Sequence, residues 1–213
     1  MRRIVQPEIL DSLPEDHPDA RQSRRDLRRI NLIMGNHRWL ARSVSSLVRP
    51  GERVLELGAG TGELGLRLAL RGVEVDGLDL AGRPDGWPRD RAWHATDILG
   101  FVGYGHYQVV IANLILHHFS DPALSRLGEI LGRTARVIVA SEPSRSRLSL
   151  ALVASLFPLF GANRVTRHDA PASIAAGFQG DELPRALGLS AQMWDVNCHA
   201  SALGAYRMTA LRR

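Results

Sequence analysis

The chain has 213 residues, 45% of them hydrophobic and 23% charged, which fits one globular domain with a sizeable core. All 27 basic residues are arginine, so lysine Schiff-base chemistry and a lysine-containing phosphate loop are both excluded. The lone Cys198 rules out an internal disulfide and fits a reducing cytoplasm. Met1-Arg2-Arg3 leads into a charged region rather than an apolar leader.

Residues 1–22, rich in proline and acid (Pro7, Pro14, Glu15, Asp16, Pro18, Asp19), are expected to form a poorly ordered arm. From Ser23 to Val48, Leu27, Ile30, Ile33, Met34, Leu40, Val44 and Leu47 recur at helical spacing, and Gly35-Asn36 divides the run into two helices. The basic cluster Arg21, Arg24, Arg25, Arg28 and Arg29 is diluted by Asp16, Asp19 and Asp26. A solvated helix face explains it better than a phosphate-binding stripe, so nucleic acid is not an expected partner despite the net charge of +5.

After Pro50-Gly51, strand and helix patterns alternate. Val54–Leu57 reads as a first strand, Glu63–Arg71 as its helix, and Val73–Leu80 as a second strand ending in Asp79. Ala92–Ala95 is a short third strand and Tyr107–Ala112 a buried fourth. Pro122–Gly132 reads as a helix, Ala135–Ala140 as the fifth strand, and Gln192–Val196 and Ala205–Leu211 as the last two. Such alternation predicts an α/β fold, a Rossmann-like seven-stranded and mostly parallel sheet with helices on both faces. Gly82, Pro84, Gly86 and Pro88 leave no room for a full helix between strands two and three.

The most telling stretch is Val54-Leu55-Glu56-Leu57-Gly58-Ala59-Gly60-Thr61-Gly62-Glu63-Leu64, a strand, a glycine loop and the start of a helix. Backbone amides and a helix N-terminus can meet a ligand there. A dinucleotide fingerprint would place its last glycine where Glu63 stands. The pattern E-x-G-x-G-x-G instead resembles the first motif of class I S-adenosylmethionine (SAM) dependent methyltransferases. That resemblance implies SAM as cofactor and S-adenosylhomocysteine (SAH) as product. It implies cofactor contacts at Glu56, Gly58, Ala59, Gly60, Gly62, Asp79, Leu80, Asp97, Ile98 and Asn113. Asp79 would take the ribose hydroxyls, Asp97 and Ile98 the adenine, and Glu56 and Asn113 the methionine end.

The run I-A-N-L-I-L-H-H-F at Ile111–Phe119 resembles the fourth motif of small-molecule O- and C-methyltransferases. It lacks the [N/D]-P-P-[Y/F] signature of enzymes that methylate exocyclic amines. A neutral histidine can take a proton from a phenol or enol near pH 7, which makes His117 and His118 candidate bases. Either can equally be a packed structural residue. No metal site is expected, since His117 and His118 are adjacent and no acid or cysteine lies nearby at ligand spacing.

Leu148–Phe160 is more apolar than an ordinary surface helix, yet too short and interrupted to span a membrane. It admits three roles: core helix, lid over an apolar acceptor, or surface touching lipid. The strings D-L-R-R-I-N at Asp26–Asn31 and T-R-H-D-A…S-I-x-A-G-F-x-G-x-E-L from Thr166 to Leu183 resemble bacterial methyltransferases found beside type III polyketide synthases. On that resemblance residues 23–213 form one methyltransferase domain, with 23–50 a helical cover and 145–183 a lid over the acceptor. His168 becomes a third candidate base, with Asp169 orienting it; a helix-capping Asp beside a surface His is the alternative. The expected partner is a small, apolar, hydroxylated acceptor, on a monomer or homodimer. RNA modification, or SAM binding without methyl transfer, are the competing readings.

Overall fold

The computed structural model describes residues 1–14 and 16–213, without the side chains of residues 156 and 158–160. Glu15 of the expected arm, and those side chains of the apolar stretch 148–160, lie outside the described residues.

Helices α1 (Ile9–Ser12), α2 (Pro18–Met34) and α3 (Asn36–Leu47) precede the sheet. Pro18 opens α2, where its missing N–H costs nothing, and Gly35 in the left-handed region (φ 66°) ends it. Then follow β1 (Val54–Leu57), α4 (Glu63–Ala69), β2 (Val75–Asp79), β3 (Trp93–Ala95), β4 (Val109–Asn113), α5 (Asp121–Thr134) and β5 (Val137–Pro143). The chain closes with α6 (Arg147–Phe160), α7 (Arg164–Ala176), α8 (Glu182–Ala186), β6 (Trp194–Ala200) and β7 (Ala205–Arg212).

The strands form one seven-stranded sheet in the order β3-β2-β1-β4-β5-β7-β6. β1 to β5 pair in parallel and β7 runs antiparallel to both of its neighbours. Alternate residues of each central strand face opposite layers. Val54, Val109, Ile111, Val137 and Val139 meet Leu40 and Val44 of α3 and Leu64 and Leu68 of α4. Leu55, Leu57, Val110, Ala112, Ile138 and Ala140 meet Leu124, Leu127 and Leu131 of α5. The strand order reverses between the adjacent β1 and β4, so their C-terminal ends open a crevice where such sheets bind ligands.

The loop between β2 and β3 replaces the usual crossover helix, as its prolines and glycines require. Its Trp87 is buried; it donates from Nε1 to Ala92 O at 3.2 Å and meets Trp93 edge-to-face. A Cβ on Gly62 or Gly65 would stand 2.6 Å or 2.5 Å from that indole, so these glycines make room for the loop on α4.

The poorly ordered arm is corrected. Arg3 is seated on the body: Nε donates to Ala176 O at 2.8 Å, and two further nitrogens reach Phe119 O at 2.7 Å and Asp121 Oδ1 at 2.6 Å. Its guanidinium also lies over the Phe178 ring, 4.7 Å from the centroid. Composition misjudged this segment because its anchors come from α5, α7 and the turn after β4, all far away in sequence.

α2 and α7, which fall in the two stretches expected to cover the site, are joined to each other. Asp26 of α2, buried, accepts Thr166 Oγ1–H of α7 at 3.1 Å and Asn163 N–H at 3.3 Å. Among the described residues no helix is long and apolar enough to cross a membrane.

Candidate active site

The glycine loop turns back over β2: the amides of Gly58 and Ala59 donate to Leu78 O at 2.8 and 3.2 Å. Gly58 has φ 62°, and a Cβ there would stand 2.5 Å from Ile115, so both conformation and contact demand glycine. Gly60 also has a positive φ, 56°, but a Cβ there meets no protein atom within 4 Å. The space over Gly60 belongs to a cavity.

That cavity, about 1240 Å³, is lined by Glu56, Gly58, Ala59, Gly60, Asp79, Leu80, Asp97, Ile98 and Asn113. Gly62 is the exception among the expected cofactor residues: it caps α4 beneath Trp87. Asp79 is fixed at the end of β2, accepting Gly60 N–H on Oδ2 and Ala81 N–H on Oδ1, both at 2.8 Å. Leu80 beside it is exposed. Asp97 accepts Gly100 N–H at 2.9 Å, and the neighbouring Ile98 is buried.

Two polar groups at the deep end lack full partners. Glu56 shares the strand face of Val54 and so points into the layer of α4, where its buried Oε2 has no hydrogen-bond partner. Burial, chiefly, with Asp79 adding repulsion, raises its carboxyl to about 8 against the pull of the Gly65 amide. Asn113 donates to Asn31 Oδ1 at 3.1 Å and lies 3.4 Å from His37 Nε2, while its Oδ1 is unpartnered. Burial, aided by the positive charge of Arg67, holds His37 down at about 4, so its ring is neutral. Leu114, next along, is the non-glycine residue of the described chain with a positive φ, 55°. That strain marks the turn into the site.

The cavity is also lined by Leu27, Ile30 and Met34 of α2, Leu152 and Val153 of α6 and Ile174 of α7, together with the polar Glu8, Asp11, His117 and His118. Leu152 and Val153 thus bring α6 into the cavity wall.

The three candidate histidines are placed very differently. His117 is buried, with Nδ1 2.7 Å from Glu142 Oε2 and Nε2 3.5 Å from Glu8 Oε1. Glu142 is wholly buried and also accepts the amides of Ile115 (3.1 Å), Leu116 (2.9 Å) and His117 (3.3 Å). Burial opposes charge on the His117 ring, but the bonds to Glu142 and Glu8 outweigh it and push the pKa up to about 9. Its ring is charged at neutral pH and does not start as a proton acceptor. His118 is part-exposed, stacked at 4.2 Å on His117, with Nδ1 3.4 Å from Asp11 Oδ2.

His168 is a correction. Its side chain is 56% exposed and it does not line the cavity. Asp169 bonds it at 2.9 Å but also accepts Ile9 and Leu10 N–H at 2.9 and 3.0 Å, capping α1. The alternative of a capping Asp beside a surface His therefore applies, although the capped helix is α1 rather than α7. Sequence reading also missed Glu8, Asp11, Asn31, His37 and Glu142. Glu142 could have been found, since an acid buried at the end of a central parallel strand must have a partner.

No family model matches the chain. Over 140 residues it is 31% identical to the ubiquinone biosynthesis O-methyltransferase of Bordetella parapertussis, covering 61% of this chain and 55% of that protein. The chain thus spans about half the length of the curated relatives it matches. Its fold superposes on the plantazolicin methyltransferase BpumL in complex with SAH, with TM-score 0.70 and 12% identity over 93% of this chain and 91% of that one. It also superposes on the magnesium protoporphyrin IX methyltransferase ChlM of Synechocystis PCC 6803 with bound SAH (TM-score 0.56, 18% identity, 96% and 91% covered). With the strand order above, these likenesses identify a Rossmann-like methyltransferase fold.

Proposed function

We propose that the chain is a SAM-dependent methyltransferase that moves a methyl group to an oxygen, or a ring carbon, of a small, apolar, hydroxylated acceptor of phenolic or polyketide type. The observation that carries this reading is the cavity at the ends of β1, β2 and β4. It gathers the glycine loop, Asp79, Asp97 and the unpartnered Glu56 Oε2, and its wall includes leucine, isoleucine, valine and methionine from α2, α6 and α7. The empty space over Gly60 and the orphaned atoms of Glu56 and Asn113 suit a cofactor with a ribose at one point and an ammonium at another.

In this reading Asp79, already oriented by two amides, receives the ribose hydroxyls, and Asp97 with Ile98 takes the adenine. Glu56 and Asn113 hold the methionine end. Bound, the cofactor supplies a methyl group on an activated sulfonium. The chain contributes position, and alignment of two reactants is worth several orders of magnitude in rate. α2 and α6 exclude water from the acceptor end. The curated O-methyltransferase relatives support oxygen as the receiving atom.

The test is calorimetric titration with SAM and SAH, wild type against Asp79→Ala, followed by SAH release in the presence of phenolic acceptors. Binding that falls at least about tenfold in the variant, equivalent to about 1.4 kcal/mol, supports the cofactor assignment. A folded wild type that binds neither compound overturns it.

A further inference from the structure

The structure assigns a divalent-cation site to Glu8, His117 and His118, on the wall of the cavity. One donor atom from each of the three lies within 4.8 Å of the others, and Glu8 Oε1 is 3.5 Å from His117 Nε2. Two ligands each about 2.0–2.1 Å from a tetrahedral ion stand about 3.3 Å apart, so the pair is set at bridging distance.

The surroundings are those of a built site. His117 Nδ1 is engaged by Glu142, whose carboxylate is pinned by the amides of Ile115 and Leu116, and this aims Nε2 at Glu8. A carboxylate behind the ring is what orients ligating histidines and sets their tautomer. Glu8 Oε1 is held from behind by the Ser173 hydroxyl. Asp11 Oδ2, 3.4 Å from His118 Nδ1, orients the second ring. A simple ion pair of Glu8 with His117 leaves this second ring and second carboxylate without a role.

Two imidazoles and one carboxylate favour a borderline cation of the Zn²⁺ type over Mg²⁺, which prefers oxygen; the cation displaces to solvent the proton that His117 Nε2 shares with Glu8. Three protein ligands leave a position open, and Glu8, Asp11, His117 and His118 all line the cavity. This part rests on the methyltransferase reading: an acceptor hydroxyl at the open position loses its proton to water and stays coordinated as the oxyanion. The cation does the work for which the sequence offered a histidine base.

The test uses the full chain, stripped with a chelator and titrated with Co²⁺ followed by visible absorption, and with Zn²⁺ by calorimetry. The variants are Glu8→Gln and His118→Gln, which leave the buried His117–Glu142 pair intact, with folding checked by circular dichroism. One equivalent of Co²⁺ should bind with ligand-field bands, at least about tenfold more weakly in each variant. SAH affinity should be unchanged in both. A folded wild type that binds no stoichiometric Co²⁺ or Zn²⁺, or variants that bind them equally well, overturns the site. Loss of SAH binding by the wild type would instead overturn the methyltransferase reading and leave the cation result standing.

Discussion

The carboxylate of Asp169 accepts the amide proton of Leu10 across 159 residues of chain, and so fastens the first helix to α7. Both oxygens are used, since Ile9 N–H donates to the other, and the carboxylate is buried. Asp169→Ala should cost about 1–2 kcal/mol, the usual loss for a helix cap. It should also raise the KM for acceptor, because α1 is flanked by Glu8 and carries Asp11 at the cavity. His168→Ala should stay within about 0.5 kcal/mol of wild type and keep full activity, as exposed substitutions do. Thermal unfolding and SAH release measured on both variants check this. An inactive, fully folded His168→Ala would restore that residue as a base.

Gly58 and Gly60 share a left-handed backbone but differ in what lies over them. Gly58→Ala drives a methyl into Ile115 and should destabilise the fold by about 1–3 kcal/mol. Gly60→Ala meets only the conformational penalty, about 1–2 kcal/mol, since its Cβ points into open cavity. Its larger effect should be on SAH affinity, which the added methyl obstructs. Denaturant melts and calorimetry on the pair separate the two outcomes. If Gly60→Ala binds SAH like wild type, the cofactor does not pass over this loop.

This contrast shows why some of the molecule was legible and some was not. The strands, the glycine loop, Asp79 and Asp97 follow one another along the chain, and hydrophobic periodicity with turn chemistry reveals such local order. The loop between β2 and β3 was equally readable, because prolines and glycines forbid a helix whatever packs on it. Contacts made over more than a hundred residues left no local trace. Arg3 on Phe178, Asp169 on Leu10, Asp26 on Thr166 and Glu8 beside His117 all belong to this group. Proline and acid content therefore read as disorder in a segment that long-range anchors hold down. The D-L-R-R-I-N and T-R-H-D-A strings drew attention as motifs; two of their residues, Asp26 and Thr166, are hydrogen-bonded to each other.

Arg3 tests the docking of that segment. It donates to the carbonyls of Ala176, His117 and Phe119, pairs with Asp121 and covers Phe178. Arg3→Ala leaves part-buried carbonyls without their donor, a loss of about 1–3 kcal/mol. The backbone around α1 should then become more open to proteolysis. Digestion timed against wild type is the measurement. Equal rates of cleavage before α2 in the two proteins would mean that Arg3 does not hold the segment.

Glu56 makes stability depend on pH with an unusual sign. Burial first, and the charge of Asp79 next, raise its carboxyl from the ordinary 4.5 to about 8. Between those values the folded state keeps a proton that the unfolded chain has released. Stability should therefore fall as pH rises through this window, by up to about 1.4 kcal/mol per unit, and level off above it. Below pH 4.5 both states are protonated and the group has no effect. Glu56→Gln mimics the neutral form and should remove the slope, making the variant more stable than wild type at pH 8.5 but not at pH 5. Urea melts at pH 5, 7 and 8.5 give the comparison. The same group links stability to the cofactor reading, because an ammonium brought against Glu56 would expel its proton. SAH binding at pH 7 should then release close to one proton, seen as a calorimetric heat that varies with the ionisation enthalpy of the buffer. Binding with no buffer dependence would place the ammonium elsewhere in the cavity.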